Sequence, residues 1–205
     1  MAADETFGAD VPDWFPASGD AGRTRFGPRG EVAKHDDRLE AYGACAEANA
    51  AIGVAIAVGQ LPVDINALLT SIQNDLLDVS ADLFVPVTST EPAEARVSES
   101  YIRRMERAIL HYAEGIGAPE TRVLPGGTAA SALLYLARTV VRRAERAVWR
   151  AVDTYPDDVN PDVARYLNRI ATLFLLLARA ANLEHGNIDW TPAASARAMD
   201  DAPPA

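Results

Sequence analysis

"LPGGTAASALLYLARTVVRRAERAVWRAV", residues 124–152, decides the reading of the fold. A Pro-Gly-Gly turn opens it, and a helix is expected from about Thr128 to Val152. On that helix Arg138, Arg142 and Glu145 follow one another at spacings of four and three and so share a face, whereas Arg143 is turned about 100° away. Forked guanidinium donors on one face suit a triphosphate. A solvated basic face making surface ion pairs is the other reading of the same residues.

Outward from this stretch the chain reads as helix after helix. A first helix is expected over about 36–58, with Leu39, Tyr42, Ala46, Asn49 and Ile52 at helical spacing and Gly59 at its end. A second runs from Pro62 to about Leu83 on the stripe Ile65, Leu68, Leu69, Ile72, Leu76 and Val79, and a third over about 98–114 turns Tyr101, Ile102, Met105, Ile109 and Tyr112 inward. The last, about 161–182, contains "VARYLNRIATLFLLLARAAN", apolar on most sides and expected at the centre of the core. No segment alternates with period two for long enough to make a strand. The expectation is an all-α five-helix bundle over 36–182, flanked by a flexible segment at 1–35 and a loose tail at 183–205.

With 205 residues the chain makes one sizeable domain. Its 29 acidic and 19 basic residues leave a formal charge of −10, which argues against general nucleic-acid binding. Cys45 is the single cysteine, so there is no internal disulfide, and a reducing, cytoplasmic setting is expected. The first thirty residues lack a signal-peptide pattern, and no apolar run reads as a membrane span.

Four stretches, taken together, resemble the PduO-type ATP:cob(I)alamin adenosyltransferases: "RLEAYGACAEANAAIG" (38–53), "IQNDLLDVSADL" (72–83), "VLPGGTAASALLYLARTVVRRAER" (123–146) and "VNPDVARYLNRIATLFLLLARAAN" (159–182). The resemblance implies a homotrimer with sites between neighbouring subunits, where ATP lies on an N-terminal loop and the arginine helix and a corrinoid covers the same cleft. By resemblance Arg138, Arg142 and Glu145 are the catalytic set. Lys34, Asn49, Arg122, Val123 and Asn182 join them in binding nucleotide or corrinoid, Asn182 at the adenosine.

The same comparison marks departures. The family's N-terminal loop reads T-R-T-G-D-x-G-T-T; set against "TRFGPRGEVAK" (24–34), Phe26, Pro28 and Glu31 replace its polar residues, and the connection to Lys34 is about eight residues short. Ala46 and Thr172 stand where the family has acids. Arg122 stands where it has an aromatic residue whose bulk excludes the lower axial ligand and leaves four-coordinate cobalt(II). These changes lead to the expectation of weakened ATP and magnesium binding. The protein is then expected to hold adenosylcobalamin, or a related tetrapyrrole such as haem, as a carrier or a sensor, light being one stimulus. A working ATP:cob(I)alamin adenosyltransferase is the alternative, and a trimeric scaffold a third reading. Among the histidines, His185 and then His111 are candidate axial metal ligands.

Overall fold

The computed structural model describes residues 19–116 and 122–200, with the side chains of 198–200 left aside. Five long helices carry the fold: α1 (Asp37–Val58), α2 (Val63–Phe84), α3 (Glu99–Ile116), α4 (Ala129–Thr154) and α5 (Pro161–Ala180), followed by a short α6 (Ala194–Asp200). The starts of α1, α4 and α5 are capped by side chains. Asp36 accepts from the Arg38 amide, Thr128 from Ser131 and Asn160 from Asp162, with Pro161 in the first turn of α5. α4 packs on both α1 and α5, α3 on α5 and α2 on α1, while Tyr101 and Tyr112 of α3 reach Asp78 and Asp64 of α2 and so close the bundle. Tyr166, Leu167, Ile170, Leu173, Phe174 and Leu177 of α5 are fully buried, so the expectation of a central last helix holds.

α1 turns a different face inward from the one its larger residues suggested. Ala41, Ala44, Cys45, Ala48, Ile52 and Ala55 are buried, while Ala46 is exposed and Tyr42 is only partly covered. Small residues let the α1 and α4 backbones approach closely. By length and composition α1 is also apolar enough to cross a membrane, contrary to the sequence reading. Its packing against α2 and α4 places it in the bundle. Burial pushes the Cys45 thiol up to about 12. Iodoacetamide at pH 8 is therefore expected to leave Cys45 unmodified in the native protein and to alkylate it once urea unfolds the chain; rapid native labelling, followed by mass spectrometry, would contradict this burial.

Part of the segment expected to be loose is ordered. β1 (Arg23–Arg25) and β2 (Glu31–Ala33) pair antiparallel, with a 3-10 turn at Gly27–Arg29 between them. Phe26 is 2% exposed, edge-on to Tyr42 and Phe84 with ring centres 5.6 and 5.4 Å away. Arg29 binds both Asp158 oxygens and the carbonyls of Leu83 and Phe84, and Arg38 binds Asp36 and Asp158. Phe26 and Arg29 therefore pin the hairpin to the end of the bundle, with Pro28 exposed at its turn. Residues 1–18 lie outside the described residues. At the other end, residues 188–190 of the expected tail are docked on 122–124.

Candidate functional site

The groups singled out in the sequence fall into distinct places. On α4, Ser131, Tyr135, Arg138, Arg142 and Glu145 recur at intervals of four and three, forming one stripe along the groove with α5. At its lower end Arg142 Nη1 donates to Glu145 Oε2 at 2.5 Å and to Asn168 Oδ1 at 3.2 Å, so α5 closes the cluster. The Glu145 side chain is 9% exposed and that of Arg142 40%. Asn168 joins the cluster from 26 residues along the chain, so no local pattern links it to Arg142.

Higher on the stripe the polar groups lack partners. Ser131 Oγ, Tyr135 Oη and Arg138 Nε on α4, and Arg179 Nε on α5, are buried with no hydrogen-bond partner among the described residues. Burial raises the Tyr135 hydroxyl's pKa, and the nearby Arg179 and Arg138 charges pull against that rise. Unpaired buried donors cost free energy unless something completes them. The unpaired Arg138 nitrogen fits the two departures noted above: Ala46 and Thr172 bring no carboxylate, and Glu47 is paired with Arg143 instead.

At the start of α4 the Pro-Gly-Gly turn is locked by Asn182, which is 2% exposed. Its Oδ1 accepts from the Thr128 amide and hydroxyl, and its Nδ2 donates to Gly126 O and to Asn187 Oδ1. Gly127 has φ 92°, and a Cβ there would fall 2.4 Å from Asn182 Nδ2. Asn182, expected at the adenosine, thus has its hydrogen-bonding atoms engaged in holding the turn. Beside this turn lies a cleft of about 760 Å3 lined by Gln60, Pro62, Thr128, Leu183 and His185 among others. Arg122 and Val123 sit just before the turn, Val123 bridged to Asp189 and Arg122 stacked over Trp190.

The profile of the cobalamin adenosyltransferase family matches residues 15–181. The corrinoid adenosyltransferase of Mycobacterium bovis is 46% identical over 179 residues, which span 87% of this chain and 92% of that protein. The chain belongs to the cobalamin adenosyltransferase family. The corrinoid adenosyltransferase of Bacillus subtilis, 35% identical, covers 84% of this chain and 88% of its own length. Among solved structures, a point variant of the Lactobacillus reuteri PduO-type ATP:corrinoid adenosyltransferase, complexed with cobalamin and ATP, superposes with a TM-score of 0.75 at 28% identity. It covers 87% of this chain and 99% of its own.

The remaining family-derived residues sit elsewhere in the fold. Lys34 is exposed at the end of the hairpin; its amide donates to Gly22 O, and a Cβ at Gly19 would lie 2.9 Å from its ammonium nitrogen. Asn49 exchanges hydrogen bonds with Gln73, side-chain amide to carbonyl in each direction, and so ties α1 to α2. His111 is exposed, its ring 5.0 Å from that of Tyr112; His185 is exposed at the cleft. Among the described residues no three His, Cys, Asp or Glu side chains are placed to hold a metal ion.

Proposed function

We propose that this protein is an ATP:corrinoid adenosyltransferase, working as a homotrimer with its sites between copies. The observation that carries the reading is the polar stripe on α4, where buried donors at Tyr135, Arg138 and Arg179 lack partners directly above the Arg142–Glu145–Asn168 cluster. Such donors fit a polyanionic substrate. In the reaction, cobalt(I), produced by a one-electron reductant such as a reduced flavin, attacks the 5′ carbon of ATP. The cobalt–carbon bond forms as the carbon–oxygen bond breaks, and triphosphate leaves with the bonding pair. Arg142 and Lys34 neutralise the departing charge, Glu145 and Asn168 fix the Arg142 fork, and the bundle aligns the two substrates.

The N-terminal loop supports transfer once its register is moved. The family match begins at residue 15, upstream of Thr24. "SGDAGRT" (18–24) follows T-G-D-x-G-T-T at Gly19, Asp20, Gly22 and Thr24, with Ser18 keeping a hydroxyl. In this register the distance to Lys34 is that of the family, and Phe26, Pro28 and Glu31 fall beyond the phosphate-binding residues. The turn at Gly19–Gly22 folds over Lys34, bringing backbone amides beside a cation. With the loop in this register, weakened ATP binding no longer favours a carrier, a light sensor or a haem protein; Ala46, Thr172 and Arg122 remain as departures.

Trimerisation is supported by α1, which is apolar along most of its length yet only about a third buried within one copy. An apolar helix so exposed fits a subunit contact. The purified protein, incubated with cob(II)alamin, a flavin reductant and magnesium ATP, is expected to yield adenosylcobalamin and triphosphate by chromatography. Tight binding of cobalamin without product would return the carrier reading.

A further inference from the structure

Helical spacing sets a polar row on each of two neighbouring helices. On α2, Ser71, Asp75 and Asp78 recur at intervals of four and three; on α3, Ser100, Arg104 and Arg107 do the same, with Tyr101 beside them. The rows meet: Arg104 donates to Ser71 Oγ and to Asp75, and Tyr101 Oη donates to Asp78 Oδ2 at 2.9 Å. There a cavity of about 330 Å3 is lined by Asp75, Ser100, Tyr101, Arg104 and Arg107. None of these residues belongs to the α4 stripe or to the Pro-Gly-Gly turn.

Two groups in this cavity are incomplete. Asp75 is 8% exposed, and Tyr166 Oη and Arg104 both donate to its Oδ2, which leaves Oδ1 without a partner among the described residues. A carboxylate oxygen can accept two hydrogen bonds, and one held away from water is costly to leave empty. Arg107 is exposed and makes no hydrogen bond or ion pair among the described residues. Its planar fork is free to take a carboxylate through two parallel bonds. Charge decides what fits. Arg104 already compensates Asp75, so a bare anion gains Arg107 but meets the Asp75 oxygen, and a bare cation gains Asp75 but meets two guanidinium groups. One small molecule with a carboxylate beside a hydrogen-bond donor satisfies both.

We infer that this cavity binds a small carboxylic acid with a donor on its α carbon, an amino or hydroxy acid, its carboxylate on Arg107 and its donor on Asp75. This is a second site, independent of adenosyl transfer, and binding alone tests it. Calorimetric titration of the full chain compares four molecules of one carbon skeleton: L-alanine, L-lactate, propionate, which lacks the donor, and L-alaninamide, which lacks the carboxylate. L-Alanine or L-lactate is expected to bind saturably and about tenfold or more tighter than propionate and L-alaninamide. Tighter L-alanine assigns the donor as an ammonium group, tighter L-lactate as a hydroxyl. Arg107→Ala is expected to weaken the preferred acid about tenfold or more, and Arg107→Lys by less, with both urea midpoints at the wild-type value because Arg107 is exposed and unpaired. Asp75→Asn, which keeps an acceptor for Tyr166, is expected to bring propionate level with the preferred acid; should it fail to fold, the wild-type ranking and the Arg107 pair still decide. Propionate binding as tightly as the preferred acid in the wild type, saturable binding of none of the four, or unchanged affinity in Arg107→Ala would each overturn the inference.

Discussion

Arg142→Ala is expected to lower kcat for adenosyl transfer by about 10²–10³, the cost of deleting one preorganised donor at a site of developing charge. Arg142 is anchored at both sides, to Glu145 on its own helix and to Asn168 on α5, while 40% of its side chain stays open to the groove. That combination holds the guanidinium in one orientation before any anion arrives. Lysine cannot replace it, because a point charge does not reproduce a fork that meets Glu145, Asn168 and a phosphate oxygen together. Arg142→Lys should therefore recover less than half of the lost transition-state free energy, about 1 kcal/mol out of 3–4. The effect belongs in kcat, since triphosphate gains charge only as the carbon–oxygen bond breaks. A variant whose loss lies wholly in KM for ATP would show that Arg142 only binds the ground state.

The sequence reading reached the helices because each long one carries its own period and its own caps. It missed the hairpin because β1 and β2 are three residues each, and what holds them lies far along the chain: Phe26 against Phe84, Arg29 against Asp158. Such contacts leave no trace in local pattern. The α4 cluster was half legible. Helical spacing put Arg142 and Glu145 together, but Asn168 reaches them through the packing of α5, and the unpartnered nitrogen of Arg179 becomes meaningful only beside Tyr135 and Arg138. By resemblance Asn182 is expected at the adenosine; the structure adds a role no local pattern shows, since the close approach of Gly127 makes its amide a fastener for the turn.

Asp158→Ala is expected to destabilise the fold by about 3 kcal/mol, because it leaves the poorly exposed Arg29 without a carboxylate and takes from Arg38 one of its two, Asp36 remaining. Asp158 binds Arg29 at 2.7 Å and Arg38 at 2.6 Å, and their side chains are 5% and 15% exposed. Burial pulls the Asp158 carboxyl upward, but the hydrogen bonds and charges of Arg29 and Arg38 outweigh it and hold its pKa below the ordinary value. Asp36 is lowered chiefly by its hydrogen bond from Arg38, against a smaller opposing contribution from burial. Both carboxylates stay ionised in the fold at pH values where the unfolded chain takes up protons. Their contribution is therefore complete above the unfolded value, about pH 4, and is lost as pH falls through the folded values below it. Urea unfolding of the wild type should show stability falling on acidification below about pH 4, and Asp158→Ala should be both less stable at pH 7 and flatter across that acid limb. Functionally, freeing Arg29 loosens the hairpin that ends at Lys34, so the same variant, assayed where it is still folded, should raise KM for ATP. A variant with wild-type urea midpoint and an unchanged acid limb would show that the Asp158 cluster does not hold the hairpin.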